Sequence, residues 1–234
     1  MTNIIFDVWT DFKNRGQPKH IVEEWSTYKD ALIESHKKYA EICGAEYRHY
    51  KIDHKKQINF ITLNFMKIYI AEDLAQRYDK VLYLDLDVLP RTRVNFFEHH
   101  DFSKFLCHKT LAPRWKIDRK RLMLGYEGIS SEHNIINTGV FGMTKEICNL
   151  IRFQQREKQI NADYPEWLAS DENKLANIEG CPNNEIYLSY IIEKYGIPTT
   201  DIGKAWNFIV DENHPKSDAC HFLHMSSKEF SSVL

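Results

Sequence analysis

The sequence predicts an α/β protein with a mixed central sheet flanked by helices. Three observations carry that expectation: strand-like apolar runs alternate with segments of helical period, the run Val81-Leu82-Tyr83-Leu84 is apolar almost without a break, and glycine and proline fall mostly at element boundaries. A run of that kind suits a strand covered on both faces, and the intervening helices are what cover it.

Residues 4 to 9 (IIFDVW) read as a first buried strand. From about 20 to 43, Trp25, Tyr28, Leu32, Tyr39 and Ile42 recur at helical spacing and stop at Gly44. A second strand is expected over 46 to 52 and a second helix over about 61 to 78, carrying Phe65, Ile68, Ile70 and Leu74. Beyond Pro90 short elements are expected at Phe96-Phe97 and from Phe102 to Leu106. Residues 108 to 133 are basic and polar with little periodicity, and read as a mobile or substrate-facing insertion. Regular pattern returns as a strand over 135 to 143, helices over 145 to about 158 and 185 to 195, and a late strand over 219 to 223.

With 43% hydrophobic and 13% aromatic residues in 234, the chain has the apolar content for one folded domain over 1–234. A net charge of −2, with Lys and Arg dispersed, gives no electrostatic footprint for nucleic acid. No apolar run has the length of a membrane span and the N-terminus lacks a signal-peptide layout, so a cytoplasmic protein is expected. Cys43, Cys107, Cys148, Cys181 and Cys220 lie far apart without a CxxC pair, which suits reduced core thiols.

The chemistry concentrates in Tyr83-Leu84-Asp85-Leu86-Asp87-Val88. In an extended chain residues two apart point the same way, so Asp85 and Asp87 can face one cation at the C-terminal end of a strand, where α/β sheets place ligands. Hard carboxylate oxygens suit Mn²⁺ or Mg²⁺, ions able to bridge two phosphates and offset charge on a departing diphosphate. An isolated pair of this kind is usually just solvated; here four apolar residues lead straight into it, so two like charges reach the edge of the core and need a partner.

From these residues outward the chain resembles glycosyltransferases of the GT-A type, in particular family eight, which includes glycogenin. YDKVLYLDLDVLPR is similar to that family's DxD segment, and Asn137-Thr138-Gly139-Val140 to its N-[ST]-G-V strand. Asn183-Asn184-Glu185 falls where a D-Q pair precedes a helix, Trp206-Asn207 matches a following W-N, and His221-Phe222-Leu223 resembles H-F-x-G-x-x-K. Departures are the Asn-Asn-Glu in place of D-Q, His224 in place of the glycine, and Lys228 one residue late.

The resemblance implies a Rossmann-like nucleotide-diphospho-sugar transferase fold, with 1–90 as the nucleotide-binding half and 91–234 as the acceptor and sugar half. It implies a nucleoside-diphosphate sugar, most simply a UDP-sugar, as donor and a glycan or other hydroxyl as acceptor, with Mn²⁺ or Mg²⁺ as cofactor. Asp85 and Asp87 would bind the cation with one histidine. His221 and His224 are an odd number apart and so face opposite ways along a strand; the family pattern favours His221, which is preferred, while the short spacing to Lys228 favours His224. Val8, Trp9, Thr10 and Asp11 would contact base and ribose, Lys67, Leu86 and Lys228 the donor phosphates and their surroundings, and Asn137, Thr138 and Gly139 the sugar. Glu185 or Asp171 would be the general base if transfer inverts configuration; if it retains, Asn184 and Glu185 would orient the sugar.

Structural readings compete at several positions: Trp9 as a core ring, Lys67 as a solvated cation, and Glu185 as a carboxylate stabilised by its helix N-terminus. Two other functions also compete. The same hydrophobic-D-x-D pattern is the nucleophile motif of haloacid-dehalogenase-like phosphohydrolases, but theirs sits on a first strand and needs a late acidic pair. A catalytically silent nucleotide-sugar binder would keep the donor site and lack turnover.

Overall fold

The structure is a computed structural model that describes residues 2–10, 19–52, 60–125, 127–163, 184–210 and 220–225. β1 (Asn3–Thr10) is followed by α1 (Lys19–Ile42), β2 (Glu46–Ile52), α2 (Phe60–Leu74) and β3 (Lys80–Leu84). Next come β4 (Val88–Pro90), α3 (Phe96–His99), β5 (Phe105–Thr110), α4 (Arg114–Gly125) and β6 (Ile135–Met143). The described remainder comprises α5 (Lys145–Ile151), α6 (Phe153–Asp163), α7 (Asn184–Lys194), β7 (Thr199–Asp201), a 3-10 turn (Lys204–Trp206), β8 (Phe208–Ile209) and β9 (Phe222–His224).

The main sheet has the order β2-β1-β3-β6-β5-β7, with β6 antiparallel to both of its neighbours and the other pairings parallel. Its strands feed two cores by alternation. Ile4, Phe6, Val81 and Tyr83 pack on one face with Phe65, Ile68 and Leu74 of α2, whereas Ile5, Leu82 and Leu84 pack on the other with Tyr39 of α1, Phe96 and Trp206. Each such side chain, taken fully from water, contributes roughly 1.5–3 kcal/mol, so the apolar run of β3 anchors both layers. A smaller sheet, β4-β9-β8, lies beyond the end of β3 and pairs Val88 with His224. No helix among the described residues is long and apolar enough to cross a membrane.

Two expectations of local structure are corrected: that 108 to 133 lacks regular elements, and that 145 to 158 is one helix. Residues 108 to 133 contain the end of β5 and helix α4, whose Met123 and Leu124 are buried and whose fully buried Lys120 reaches Glu193 and the Asn134 carbonyl. A lysine on the core-facing side is what hides the helical period there. The helix expected over 145 to 158 is two helices, α5 and α6, broken at Arg152 with φ 44. Glu72 of α2 accepts from the Phe153 and Gln154 amides and so caps the second from outside.

Candidate active site

The two DxD carboxylates stand at the C-terminal end of β3, on a turn and not on an extended strand. The Val88 amide donates to the Asp85 carbonyl at 2.9 Å to close the turn, and the Asp85 amide donates to the Gly139 carbonyl of β6 at 2.7 Å. The intervening Leu86 is turned inward and buried with Trp9, Leu32 and Leu223. The turn therefore does what strand alternation was expected to do: it sends the apolar residue down and leaves both carboxylates up.

The small sheet supplies the third group. Because β4 and β9 pair Val88 with His224, the His224 ring arrives over the turn, with Nε2 3.4 Å from Asp87 Oδ1 and 4.0 Å from Asp85 Oδ2. One ligand atom from each of the three lies within 4.8 Å of the others. Donors about 2.1 Å from a shared octahedral ion stand roughly 3 Å apart when adjacent and 4 Å when opposite, and the 3.4 and 4.0 Å separations from His224 fall in that range. The other ring nitrogen, Nδ1, lies 3.0 Å from Asn207 Oδ1 and donates to it, which leaves Nε2 as the edge available to a ligand.

His221 does not join this group. Its ring stacks on Trp206 with centroids 4.2 Å apart and faces His99, so the preference for His221 is corrected to His224. The physical reason is the pairing: His224 ends β9 opposite Val88, whereas His221 precedes the strand, with its amide on the Ala205 carbonyl at 2.7 Å and its ring against Trp206.

Charges around the turn are mutually adjusted. Burial works against ionised Asp85, yet Lys67 and His224 outweigh it and hold the carboxyl below the usual range. Lys67 Nζ sits 3.0 and 3.2 Å from its two oxygens. The Tyr83 hydroxyl, kept protonated by burial and by the Asp85 charge, donates to the same carboxylate. Burial disfavours the charged His224 ring, but Asp87 and Asp85 raise it above the ordinary histidine value. A metal ion held by this group would compete with a proton for that one nitrogen.

Beside the turn opens a cavity of about 500 Å³, lined by Asn137, Glu185, Asn207, Lys116, Lys204 and an apolar lip that includes Leu111. Asn137 Oδ1 accepts from the Asn207 side chain at 2.7 Å and the Gly139 amide at 2.8 Å, while its Nδ2 donates to Glu185 at 3.2 Å. Glu185 also accepts from the Thr138 amide at 3.3 Å and pairs with Lys116 of α4 at 2.5 Å. One polar chain therefore runs from Lys116 through Glu185, Asn137 and Asn207 to His224. Gly139 is required by its neighbours: a Cβ there would lie 2.4 Å from the His224 ring.

Of the expected site residues, the structure brings together Asp85, Asp87, His224, Lys67, Asn137, Thr138, Gly139 and Glu185. Asn184 is buried at the first turn of α7 beside Glu185, and Val8 packs against the main core. Trp9 is 8% exposed and lies 5.4 Å from the Trp25 ring, so its ring belongs to the core first. Asp11, Asp171 and Lys228, with the Thr10 side chain, lie outside the described residues. Lys116 and the structural use of Asn207 were missed; the Trp206-Asn207 match was the one signal for the latter.

A mixed sheet with a carboxylate pair at the end of its central strand, joined through His224, Asn207 and Asn137 to the wall of a cavity, is consistent with a GT-A type glycosyltransferase. The chain belongs to glycosyl transferase family 8, whose family model matches residues 12–225. A solved glycosyltransferase involved in the glycosylation of the major capsid of PBCV-1 shares the fold with a TM-score of 0.57 at 17% identity, covering 100% of both chains. Mouse xyloside xylosyltransferase 1, in its apo form, gives a TM-score of 0.52 at 10% identity over 96% of this chain and 97% of its own. A comparison by sequence with curated proteins finds no match. The phosphohydrolase reading is set aside by this membership and by the place of Asp85 after β3 instead of on a first strand.

Proposed function

We propose that the chain transfers a sugar from a nucleoside-diphosphate donor, most simply a UDP-sugar, to a hydroxyl of a glycan or similar acceptor. The observation that supports this most directly is the Asp85, Asp87 and His224 cluster, with His224 oriented by Asn207 next to the cavity. These three residues would hold Mn²⁺ or Mg²⁺, which when bound offsets the negative charge gained by the departing nucleoside diphosphate. In the transfer the bond from the anomeric carbon to the diphosphate oxygen breaks, the acceptor oxygen bonds to that carbon, and the acceptor proton is released.

In this reading residues 1–90 carry the nucleotide side and 91–234 the sugar and acceptor side. Asn137, Asn184 and Glu185 face the transferred sugar. Glu185 acts as a fixed anion that orients hydroxyls, because Lys116, Asn137 and the Thr138 amide already occupy its oxygens. Lys67 balances Asp85 until the cation arrives.

Calorimetric titration with nucleoside diphosphates and nucleotide sugars, with and without Mn²⁺, tests the proposal on the wild type and Asp87→Ala. The expected result is Mn²⁺-dependent binding of one nucleotide that disappears in the variant, followed by transfer to sugar acceptors. No nucleotide binding under any condition overturns it, and tight donor binding with no turnover on any acceptor leaves a silent binder in its place.

A further inference from the structure

The DxD turn is also gripped from behind. Asp7 of β1 is fully buried; its Oδ2 takes the His36 Nδ1 at 2.8 Å and the Tyr47 hydroxyl at 2.5 Å, and its Oδ1 takes the His49 Nδ1 at 2.6 Å. Burial alone would raise this carboxyl, but hydrogen bonds from His36 and His49 overcome it and hold it at about 2. Asp7 is thus ionised and can only accept, so the His36 Nδ1 donates to it. The opposite nitrogen, Nε2, lies 2.6 Å from the Val88 carbonyl, which also only accepts. A fully buried ring on α1 therefore donates from both edges, to a carboxylate on one side and to the residue after Asp87 on the other.

Val88 is the mechanical centre of the cation cluster. Its amide closes the turn onto Asp85, its β4 position stands opposite His224, and the preceding Asp87 carbonyl takes the Met225 amide at 2.9 Å. We propose that His36, oriented by Asp7, is a positioning residue that holds the Asp85–Val88 turn in its ligand-binding shape through the Val88 carbonyl. The inference rests on the reading of Asp85, Asp87 and His224 as a cation site. It adds a support that touches neither donor nor cation.

Two substitutions separate the ring's two edges. In His36→Gln the amide nitrogen takes the place of Nε2 and still reaches Val88; in His36→Asn it takes the place of Nδ1 and reaches only Asp7. Hydrogen exchange of the metal-free proteins and Mn²⁺ titration are then compared. His36→Asn should exchange the Val88 and Met225 amides faster and weaken Mn²⁺ by about 10-fold or more, while His36→Gln stays within about twofold of wild type. Unchanged exchange and affinity in His36→Asn, or equal losses in both variants, overturn the proposal. If neither variant folds, the wild type decides: an exchange-protected His36 Hε2 resonance that shifts when Mg²⁺ is added supports it, and its absence overturns it. Failure of the wild type to bind Mn²⁺ or Mg²⁺ sinks the cation reading separately, and the exchange pattern at Val88 still decides whether His36 holds the turn.

Discussion

Asp7 with His36, His49 and Tyr47, and Asp85 with Asp87, His224 and Tyr83, are built from the same side-chain types on neighbouring strands, the first within β1 and the second at the end of β3. The first cluster is closed: each carboxylate oxygen of Asp7 has a donor, and both edges of His36 are used. The second is more open: Lys67 and the Tyr83 hydroxyl serve Asp85, both carboxylates share the one Nε2 edge of His224, and the three residues are only partly buried. Donor and acceptor accounting separates a group that stabilises a fold from a group that awaits a ligand, where residue identity does not.

The largest effect should come from breaking the closed cluster. Asp7→Ala leaves the donors of His36, Tyr47 and His49 without their shared acceptor, and at about 1–3 kcal/mol for each buried group left unsatisfied, urea unfolding should show a loss of about 3 kcal/mol or more. The corresponding change in the open cluster, Asp87→Ala, relieves a like-charge contact and should move stability by no more than about 1 kcal/mol. Mn²⁺-dependent transfer should nevertheless fall by more than about 100-fold, since even supporting groups at metal sites cost 10–100-fold. Equal stability losses in the two variants would erase the distinction between the clusters.

A smaller change sharpens the geometry of the open site. Gly139→Ala places a methyl 2.4 Å from His224 Cε1 and 2.7 Å from Nδ1, so the ring must leave its Asn207 contact. Mn²⁺ affinity measured by titration should drop about 10-fold while far-ultraviolet circular dichroism stays that of the wild type. Unchanged affinity would mean that Asn207 does not set the ring.

The smallest effect concerns a histidine in neither cluster. His100 Nε2 is buried with no hydrogen-bond partner among the described residues, and burial, then the His99 and His221 charges, lower its pKa from 6.5 to about 4. The unfolded chain therefore binds this proton first, so its contribution to stability is complete above about pH 6.5 and is lost as pH falls toward 4. Wild-type Tm should drop by a few °C across that window, with a shallower slope in His100→Gln. A slope unchanged by the substitution would assign the loss to other groups.

The strands expected over 46 to 52 and 135 to 143 keep those bounds, and helix α1 begins and ends within about a residue of its expected limits. Long segments with a strong period are legible because burial of one face decides them locally. Helix α4 was not, because Lys120 occupies a core-facing position that only its partners Glu193 and Asn134 make tolerable. The break at Arg152 was hidden for a similar reason, since the cap that permits it comes from Glu72, far away in sequence.

By itself, the sequence determined the alternating α/β architecture, the carboxylate pair at the end of an apolar strand, and the ordered motifs of family 8, because each is written in residues close together. Tertiary structure alone decided which histidine meets the carboxylates, since the two-residue β8 and the three-residue β4 and β9 are too short to leave a period and exist only by pairing with one another. It also decided that Glu185 is tied to Lys116 and that His36 reaches the Val88 carbonyl of the Asp85–Val88 turn. Contacts between residues dozens of positions apart are set by how layers pack, and no local spacing encodes them.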